Sequence, residues 1–231
     1  MQGKAGRPGK PSADFDKFDH PADCTFRHTS AFCVDGDGGS NNRIERWAAS
    51  SGRPEHVEWV RPEIPPSQRK LEEYINPHGI AWHQDSDRLL IADREHSRIA
   101  IVDPESGFEK GNLTCDALQL GSKGKPYGVR TIGNMLFVAV SDSPQDGRNL
   151  FLHVVDISTL KKDGSCAKLL QTISFAAPGS TREAGQVVCN GPHLMGVDHA
   201  SNDVYLACVA EPGSNLVRLT TRKHETPHLV V

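Results

Sequence analysis

The sequence has no long apolar segment and no surplus of positive charge. No stretch approaches the roughly 20 apolar residues that a membrane-spanning helix requires, so we expect no membrane span. The formal net charge of -3 argues against a nucleic-acid partner. Basic residues near the start are not followed by an apolar core, so the pattern of a signal peptide is missing. We interpret residues 1–19 as a flexible leader and leave the cellular compartment open.

The spacing of the cysteines argues against one kind of metal site. The six cysteines are Cys24, Cys33, Cys115, Cys166, Cys189 and Cys208. None forms a C-x-x-C pair, so a cysteine zinc site is not expected. The first two and the last fall in apolar runs, where a buried free thiol is the simple interpretation. The other three fall in linking segments and could form disulfides in a secreted protein, as the sequon Asn112-Leu113-Thr114 could then carry a glycan.

The most informative feature is a repeated unit that begins with proline. The units are led by Pro21, Pro77, Pro126 and Pro192, so they start 56, 49 and 66 residues apart. Each reads Pro-x, an apolar stretch, a polar turn, a second apolar stretch, a loop rich in Gly, Asp, Asn or Ser, and a third apolar stretch. Internal repeats of this length are typical of repeat architectures.

The apolar stretches are short and rich in aliphatic and aromatic residues, as β-strands are. The clearest of them are residues 31–36, 88–93, 135–140 and 203–209. Helical periodicity is nearly absent, and residues 66–75 form either a surface helical turn or a loop. Four-stranded meanders repeated at this spacing predict an all-β fold, a β-propeller that occupies residues 20–231.

The repeat units resemble those of a known family. The segment "LLIADREHSRIAIVD" is similar to an NHL-type propeller repeat, and "PHGIAWHQDSDRLLIADREHSRI" resembles the lyase half of peptidylglycine α-amidating enzymes. "GPHLMGVDHASNDVYLA" resembles a later blade of the same lyase, and the likeness runs in order over roughly residues 20 to 220. The resemblance implies a six-bladed ring, of which four blades are recognisable here, so we expect either an incomplete chain or a relative that has lost the chemistry. It also implies cleavage of peptidyl-α-hydroxyglycine to a peptide amide and glyoxylate.

The same resemblance implies a zinc ion bound by three histidines from alternate blades. The residues after the leading prolines are Ala22, His78, Tyr127 and His193, so histidine occupies alternate units here too. Equivalent positions in successive blades form a ring, and three imidazoles would leave one zinc position open for substrate. We therefore predict His78 and His193 as zinc ligands. The alternative is local: a histidine after proline can form a backbone hydrogen bond where the strand begins.

Arg94 matches the arginine of the family's Ala-Asp-Arg motif and is the predicted catalytic residue. A guanidinium can bind the substrate carboxylate bidentately, although a surface arginine in a turn is the alternative. We predict that Asp93 is structural and accepts backbone N–H groups of the following loop. We expect Arg43 and Arg98 to brace neighbouring blades, and we assign His228 to an outer strand.

The sequence departs from the family at several positions. No Pro-His unit precedes Pro21, so the first zinc histidine is missing. "DGDGGSNN" lacks the tyrosine that follows Asp-Gly in the family and is thought to be catalytic, and Leu194 replaces an aspartate that helps to bind calcium, which makes calcium doubtful. Asp19 and Leu90 stand where the family has two disulfide cysteines.

Three functions are compatible with this sequence. The first is a zinc-dependent lyase, incomplete or inactive, whose substrate is a peptide ending in α-hydroxyglycine. The second is an NHL-repeat propeller that binds a protein partner on its face without catalysis. The third is a propeller hydrolase or lactonase with calcium in its channel, and it ranks last because the units begin with His or Tyr rather than with calcium ligands.

Overall fold

The computed structural model describes residues 18–38, 41–49, 54–57, 74–120, 124–141, 150–160, 164–175, 189, 191–209, 215–220 and 228–229. Residues 1–17 of the predicted leader and residues 66–73 of the predicted turn or loop lie outside the described residues. The chain divides between Asn112 and Leu113 into two compact units, and each unit is described by itself.

The first unit contains two four-stranded antiparallel sheets, blades 1 and 2, each with its strands in chain order. Blade 1 consists of β1 (Pro21–Arg27), β2 (Ser30–Asp35), β3 (Arg43–Ala49) and β4 (Pro54–Val57). Blade 2 consists of β5 (Pro77–His83), β6 (Arg88–Asp93), β7 (Arg98–Val102) and β8 (Glu109–Asn112).

The second unit has the same construction in blades 3 and 4. Blade 3 consists of β9 (Lys125–Ile132), β10 (Met135–Ser141), β11 (Leu150–Asp156) and β12 (Lys168–Ser174). Blade 4 consists of β13 (Pro192–Asp198), β14 (Asp203–Cys208), β15 (Asn215–Thr220) and β16 (His228–Leu229). A 3-10 turn at Asp116–Leu118 is the one helical segment whose bounds fall within the described residues, and none of those residues forms a helix able to span a membrane.

The predicted all-β propeller fold is confirmed, and the apolar stretches explain why. The second strand of each blade is buried almost throughout, and β6 has only Arg88 partly exposed. A strand with neighbours on both edges and cover on both faces needs continuous aliphatic sequence, which "RLLIAD" and "MLFVAVS" provide. The prediction for His228 is also confirmed, because β16 is the outermost strand of blade 4 and pairs with β15.

Blades 1 and 2 pack face to face around an apolar core. Its fully buried members include Phe32 of blade 1 and Ile80, Leu89 and Ile91 of blade 2, each contributing about 1.5–3 kcal/mol by leaving water. Asp23 of β1 adds a polar link, since its Oδ2 accepts the backbone N–H of Ile80 at 3.0 Å. This contact satisfies a donor on the edge strand β5 that would otherwise be open to other chains.

The core of the second unit is built in the same way from blades 3 and 4. Its buried residues include Phe137 and Leu152 of blade 3 and Val204 and Leu206 of blade 4. Gly128 of β9 allows the close approach of the two inner strands, because a Cβ at this position would lie 2.2 Å from the backbone oxygen of His193.

All six cysteines are paired, which corrects one interpretation of the sequence. The disulfides are Cys24–Cys33, Cys115–Cys166 and Cys189–Cys208. Cys24, Cys33 and Cys208, the residues of the apolar runs, are therefore not free thiols. Cys24 and Cys33 are directly opposite on β1 and β2, and Cys208 in β14 pairs with a cysteine of a linking segment. Sequence pattern assigned each cysteine its local environment but not its partner.

Candidate functional site

The residue after each leading proline occupies the same structural position in every blade, a β-bulge in the first strand. The register shifts fall between Pro21 and Asp23 and between Pro77 and Gly79 in the first unit. In the second unit Tyr127 and His193 lie at the corresponding irregularities of β9 and β13. An extra residue at a bulge redirects its side chain, and bulges are common beside functional sites. The sequence repeat therefore marks a true structural equivalence.

His78 is fully buried at the bulge of β5. Its Nε2 lies 3.4 Å from Oδ2 of Asp37, a residue in the loop after β2. Asp37 is held there by its backbone N–H, which donates to the carbonyl oxygen of His20 at 3.2 Å. The carboxylate is partly exposed, so this pair has one buried member and one member that faces solvent.

Arg94, the predicted catalytic residue, lies in the turn after β6 and contacts the same carboxylate. Its Nη1 donates to Oδ1 of Asp37 at 3.0 Å, and its Nε donates to Oε1 of Glu95 at 3.0 Å. The side-chain amide of Asn76 lies between Arg94 and Gly36. The amide oxygen accepts from Nη2 of Arg94 at 2.9 Å, and the amide nitrogen donates to the Gly36 carbonyl at 2.9 Å. The guanidinium is therefore fixed by three side chains of the first unit and is mostly buried.

Asp93 has a different set of donors from the one that the sequence predicts. The carboxylate is fully buried, and its Oδ1 accepts the backbone N–H of Ile75, which precedes the blade, at 2.9 Å. Its Oδ2 lies 2.7 Å from Nδ1 of His96 and accepts from Nε of Arg98 at 2.6 Å. The prediction that Asp93 accepts backbone N–H groups of the following loop is therefore wrong. After β6, its partners are the side chains of His96 and Arg98.

Arg98 and Arg43 connect strands of their own blades, and bracing between blades stays a prediction. Arg98 of β7 reaches Asp93 on β6 and Glu109 on β8, each at 2.6 Å. Arg43 of β3 contacts Asp35 on β2 and Glu45 on its own strand. Each buried aspartate at the end of a second strand therefore has an arginine of the third strand as its partner.

In the second unit, the predicted ligand His193 lies at the bulge of β13 and is partly buried. Its ring is tilted against that of Tyr127, with the centroids 5.5 Å apart. The two residues after the leading prolines of blades 3 and 4 are thus neighbours, and the close approach at Gly128 positions the backbone of His193.

The donor atoms in the first unit fit part of a zinc site. Two ligands of a tetrahedral zinc ion, each about 2.0–2.2 Å from the metal, lie roughly 3.3 Å apart. The 3.4 Å between Nε2 of His78 and Oδ2 of Asp37 is close to that separation, and imidazole and carboxylate are both zinc ligands. Arg94 on the other carboxylate oxygen would orient it, as outer partners of metal ligands commonly do.

Asp37 is the residue that sequence reasoning missed as a participant in the site. The sequence drew attention to this place only through the tyrosine that the lyase family has after Asp-Gly. Asp37 could have been identified from its position, because it directly follows Asp35-Gly36, where the lyase family has its tyrosine. A carboxylate at that position is a potential metal ligand.

Comparisons with known proteins agree with the propeller architecture. No family model matches the chain. Human NHL repeat-containing protein 3 is 28% identical over 218 residues, which are 92% of this chain and 53% of that protein. The chain spans about half the length of the curated relatives it matches.

Solved structures with low sequence identity show the fold alone. A protein from Lactobacillus plantarum aligns over 91% of this chain and 56% of its own, with a TM-score of 0.57 and 13% identity. A chain in the crystal structure of a nidogen/laminin complex aligns over 87% of this chain and 60% of its own, with a TM-score of 0.54 and 13% identity.

The repeated four-stranded sheets define the class, a β-propeller. The sequence relatives are NHL repeat-containing proteins, so the chain is similar to propellers of the NHL-repeat type.

Proposed function

We propose that this chain is a metal-binding NHL-repeat propeller that acts as a binding scaffold and does not carry out the lyase reaction. The observation that supports it is the engagement of Arg94 by the chain's own carboxylates, Asp37 at Nη1 and Glu95 at Nε. By the family resemblance, the lyase reaction would use this arginine to bind the carboxylate of the α-hydroxyglycine. Here the substrate would have to displace Asp37 and approach two negative charges, which repel it.

The metal in this proposal is zinc, with His78 and Asp37 as ligands from the first unit. The assignment of His193 to the same ion depends on the sequence repeat, in which histidine follows the leading proline of alternate units. Bound zinc would stabilise the blade that carries each ligand, because metal binding adds to the free energy of folding. A structural zinc needs no open position for substrate, in keeping with a scaffold.

The partner in this proposal is a protein held on the propeller. One fold neighbour is a chain in a nidogen/laminin complex, so this general fold occurs in a protein–protein assembly.

The second candidate function is the lyase reaction, and the fully buried His78 beside Asp37 favours it. Zinc would lower the pKa of the substrate hydroxyl. Arg94 would bind the glycine carboxylate. Asp37 would accept the hydroxyl proton and pass it to the departing nitrogen as the C–N bond breaks, which gives the peptide amide and glyoxylate. For this to occur, the ion pair between Arg94 and Asp37 must open when substrate binds.

Metal analysis combined with a glyoxylate assay separates the two candidates. For the scaffold we expect bound zinc that is lost in His78→Ala, together with glyoxylate release from an α-hydroxyglycine peptide at the no-protein level. The matched pair Arg94→Ala and Arg88→Ala, two arginines of the same blade, should then be indistinguishable in this assay. Glyoxylate release that requires both zinc and Arg94 would establish the lyase instead. Zinc that persists in His78→Ala would exclude His78 as a ligand in either proposal.

A further inference from the structure

We propose that Asn112 carries an N-linked glycan and that the chain matures in the secretory pathway. Asn112-Leu113-Thr114 is the single Asn-x-Ser/Thr sequon in the sequence. Such a sequon is modified only in a chain that enters the endoplasmic reticulum, so the proposal needs both a compartment and an accessible acceptor.

The disulfides supply the argument for the compartment. Three bonds pair all six cysteines, and two of them close loops within the second unit. Disulfides persist in oxidising compartments and are rare where glutathione keeps thiols reduced. A cytosolic chain with six cysteines has no reason to bring every one of them within bonding distance of a partner.

The position of Asn112 satisfies the requirement for access. It is the last residue of β8, the outermost strand of blade 2, and its side chain is exposed. Leu113 next to it is buried, whereas Thr114, whose hydroxyl completes the sequon, is exposed. Asn112 and Thr114, which the glycosylating enzyme recognises, are therefore exposed to solvent. Leu113, which can be almost any residue in a sequon, is buried.

The contact made by Asn112 is also compatible with a glycan. Its Oδ1 accepts from Nη1 of Arg98 at 3.0 Å, which uses the carbonyl end of the amide. The sugar is attached to Nδ2, the opposite end, so the hydrogen bond to Arg98 can remain. A hydrated glycan on an outer strand would also hinder edge-to-edge pairing with other chains, to which exposed strand edges are prone.

The order of the chain favours modification before folding closes this segment. In the folded second unit the backbone of Thr114 is tied down, since its N–H donates to Gly164 and its carbonyl accepts from Cys166, each at 3.1 Å. Cys166, the partner of Cys115, lies 166 − 112 = 54 residues after the acceptor. The sequon therefore enters the endoplasmic reticulum well before the segment containing Gly164 and Cys166, which binds the backbone of Thr114 in the folded protein.

The test is expression in cultured mammalian cells of the whole chain behind an added cleavable signal sequence. The secreted protein is digested with peptide-N-glycosidase in ¹⁸O-water, and the peptide containing residue 112 is examined by mass spectrometry. We expect conversion of Asn112 to ¹⁸O-labelled aspartate and a gain in gel mobility after digestion. Thr114→Ala should abolish both signals, while Thr114→Ser, which keeps the sequon, should retain them.

Two results would overturn the proposal. One is a folded, secreted wild-type chain with unmodified Asn112. The other is a mobility shift that persists in Thr114→Ala and Asn112→Gln, which would assign the modification elsewhere. If the chain is retained in the cell instead, the same digestion is applied to the retained protein, because glycan transfer precedes export.

Discussion

Arg94 and Asp37, 57 residues apart in the sequence, form an ion pair with 3.0 Å between Nη1 and Oδ1. The pair joins the turn after β6 to the loop after β2, so it links blades 1 and 2 at the end where both second strands finish. It also places a carboxylate of the protein on the one arginine that the family resemblance assigns to a substrate carboxylate. The same aspartate faces His78, so its replacement should affect both anion binding and metal binding.

Replacing Asp37 with asparagine should make Arg94 available to external carboxylates. The change preserves the size of the side chain and removes its charge, so we expect glyoxylate to bind roughly tenfold more tightly than to the wild type. Isothermal titration with glyoxylate measures this. Asp85→Asn, in an exposed turn of blade 2, removes the same charge away from the site and should change nothing. Equal affinity in all three proteins would mean that Asp37 does not compete for Arg94.

The stability of the chain should fall between acidic and mildly alkaline pH because of Glu45. Burial raises the pKa of this carboxyl from its ordinary value of 4.5 to about 7, with Arg43 opposing the shift. Between these two values the Glu45 carboxyl binds more protons in the folded state than in the unfolded state. Its contribution to stability is therefore fully present below pH 4.5 and is lost as pH rises through 7. Glu45→Gln should therefore raise the unfolding free energy at pH 8 by up to about 3 kcal/mol.

The measurement for Glu45 is denaturant unfolding of both proteins at pH 5 and pH 8. The wild type should lose more stability over this interval than Glu45→Gln does. A parallel pH dependence in the two proteins would show that the carboxyl is not held in its neutral form.

An alanine at Gly128 should disturb blade 4 rather than its own blade. The added Cβ would lie 2.2 Å from the backbone oxygen of His193, and a backbone atom cannot move aside cheaply. We expect a loss of about 1–3 kcal/mol and a change in the environment of the His193 ring. Gly196→Ala is the matched control, since a Cβ there meets nothing within 4 Å. Thermal unfolding and the His193 NMR signals would check both, and equal melting temperatures for the two variants would contradict the close approach.

The three disulfides should differ in their contribution to stability according to the loops that they close. The separations are 51 residues for Cys115–Cys166, 19 for Cys189–Cys208 and 9 for Cys24–Cys33. The chain-entropy relation gives about 4, 3 and 2.5 kcal/mol for these loops. Paired Cys→Ser variants compared by denaturant unfolding test this order. A larger effect from Cys24–Cys33 than from Cys115–Cys166 would show that local contacts outweigh loop entropy here.

Much of the fold could be predicted because the signals are local. Alternation of apolar stretches with turns is set within a few residues, so the strands at 88–93 and 135–140 were predicted within a residue of their observed bounds. The leading prolines marked the first strand of each blade for the same reason, since proline is tolerated at a strand start and on an edge. The position after each proline recurs in the sequence, but the β-bulges at His78 and His193 are a finding of the structure.

Contacts between distant residues were decided by the tertiary structure alone. A cysteine in an apolar run looks the same whether its thiol is free or bonded, and only the pairing of β1 with β2 brings Cys24 to Cys33. Asp37 appears in the sequence as one acidic residue in a glycine-rich loop. Packing of blade 1 on blade 2 is what places it between His78 and Arg94. The sequence by itself determined the strands and the repeat, because these depend on neighbouring residues, and tertiary packing determined the partners of each polar side chain, because those partners lie tens of residues away.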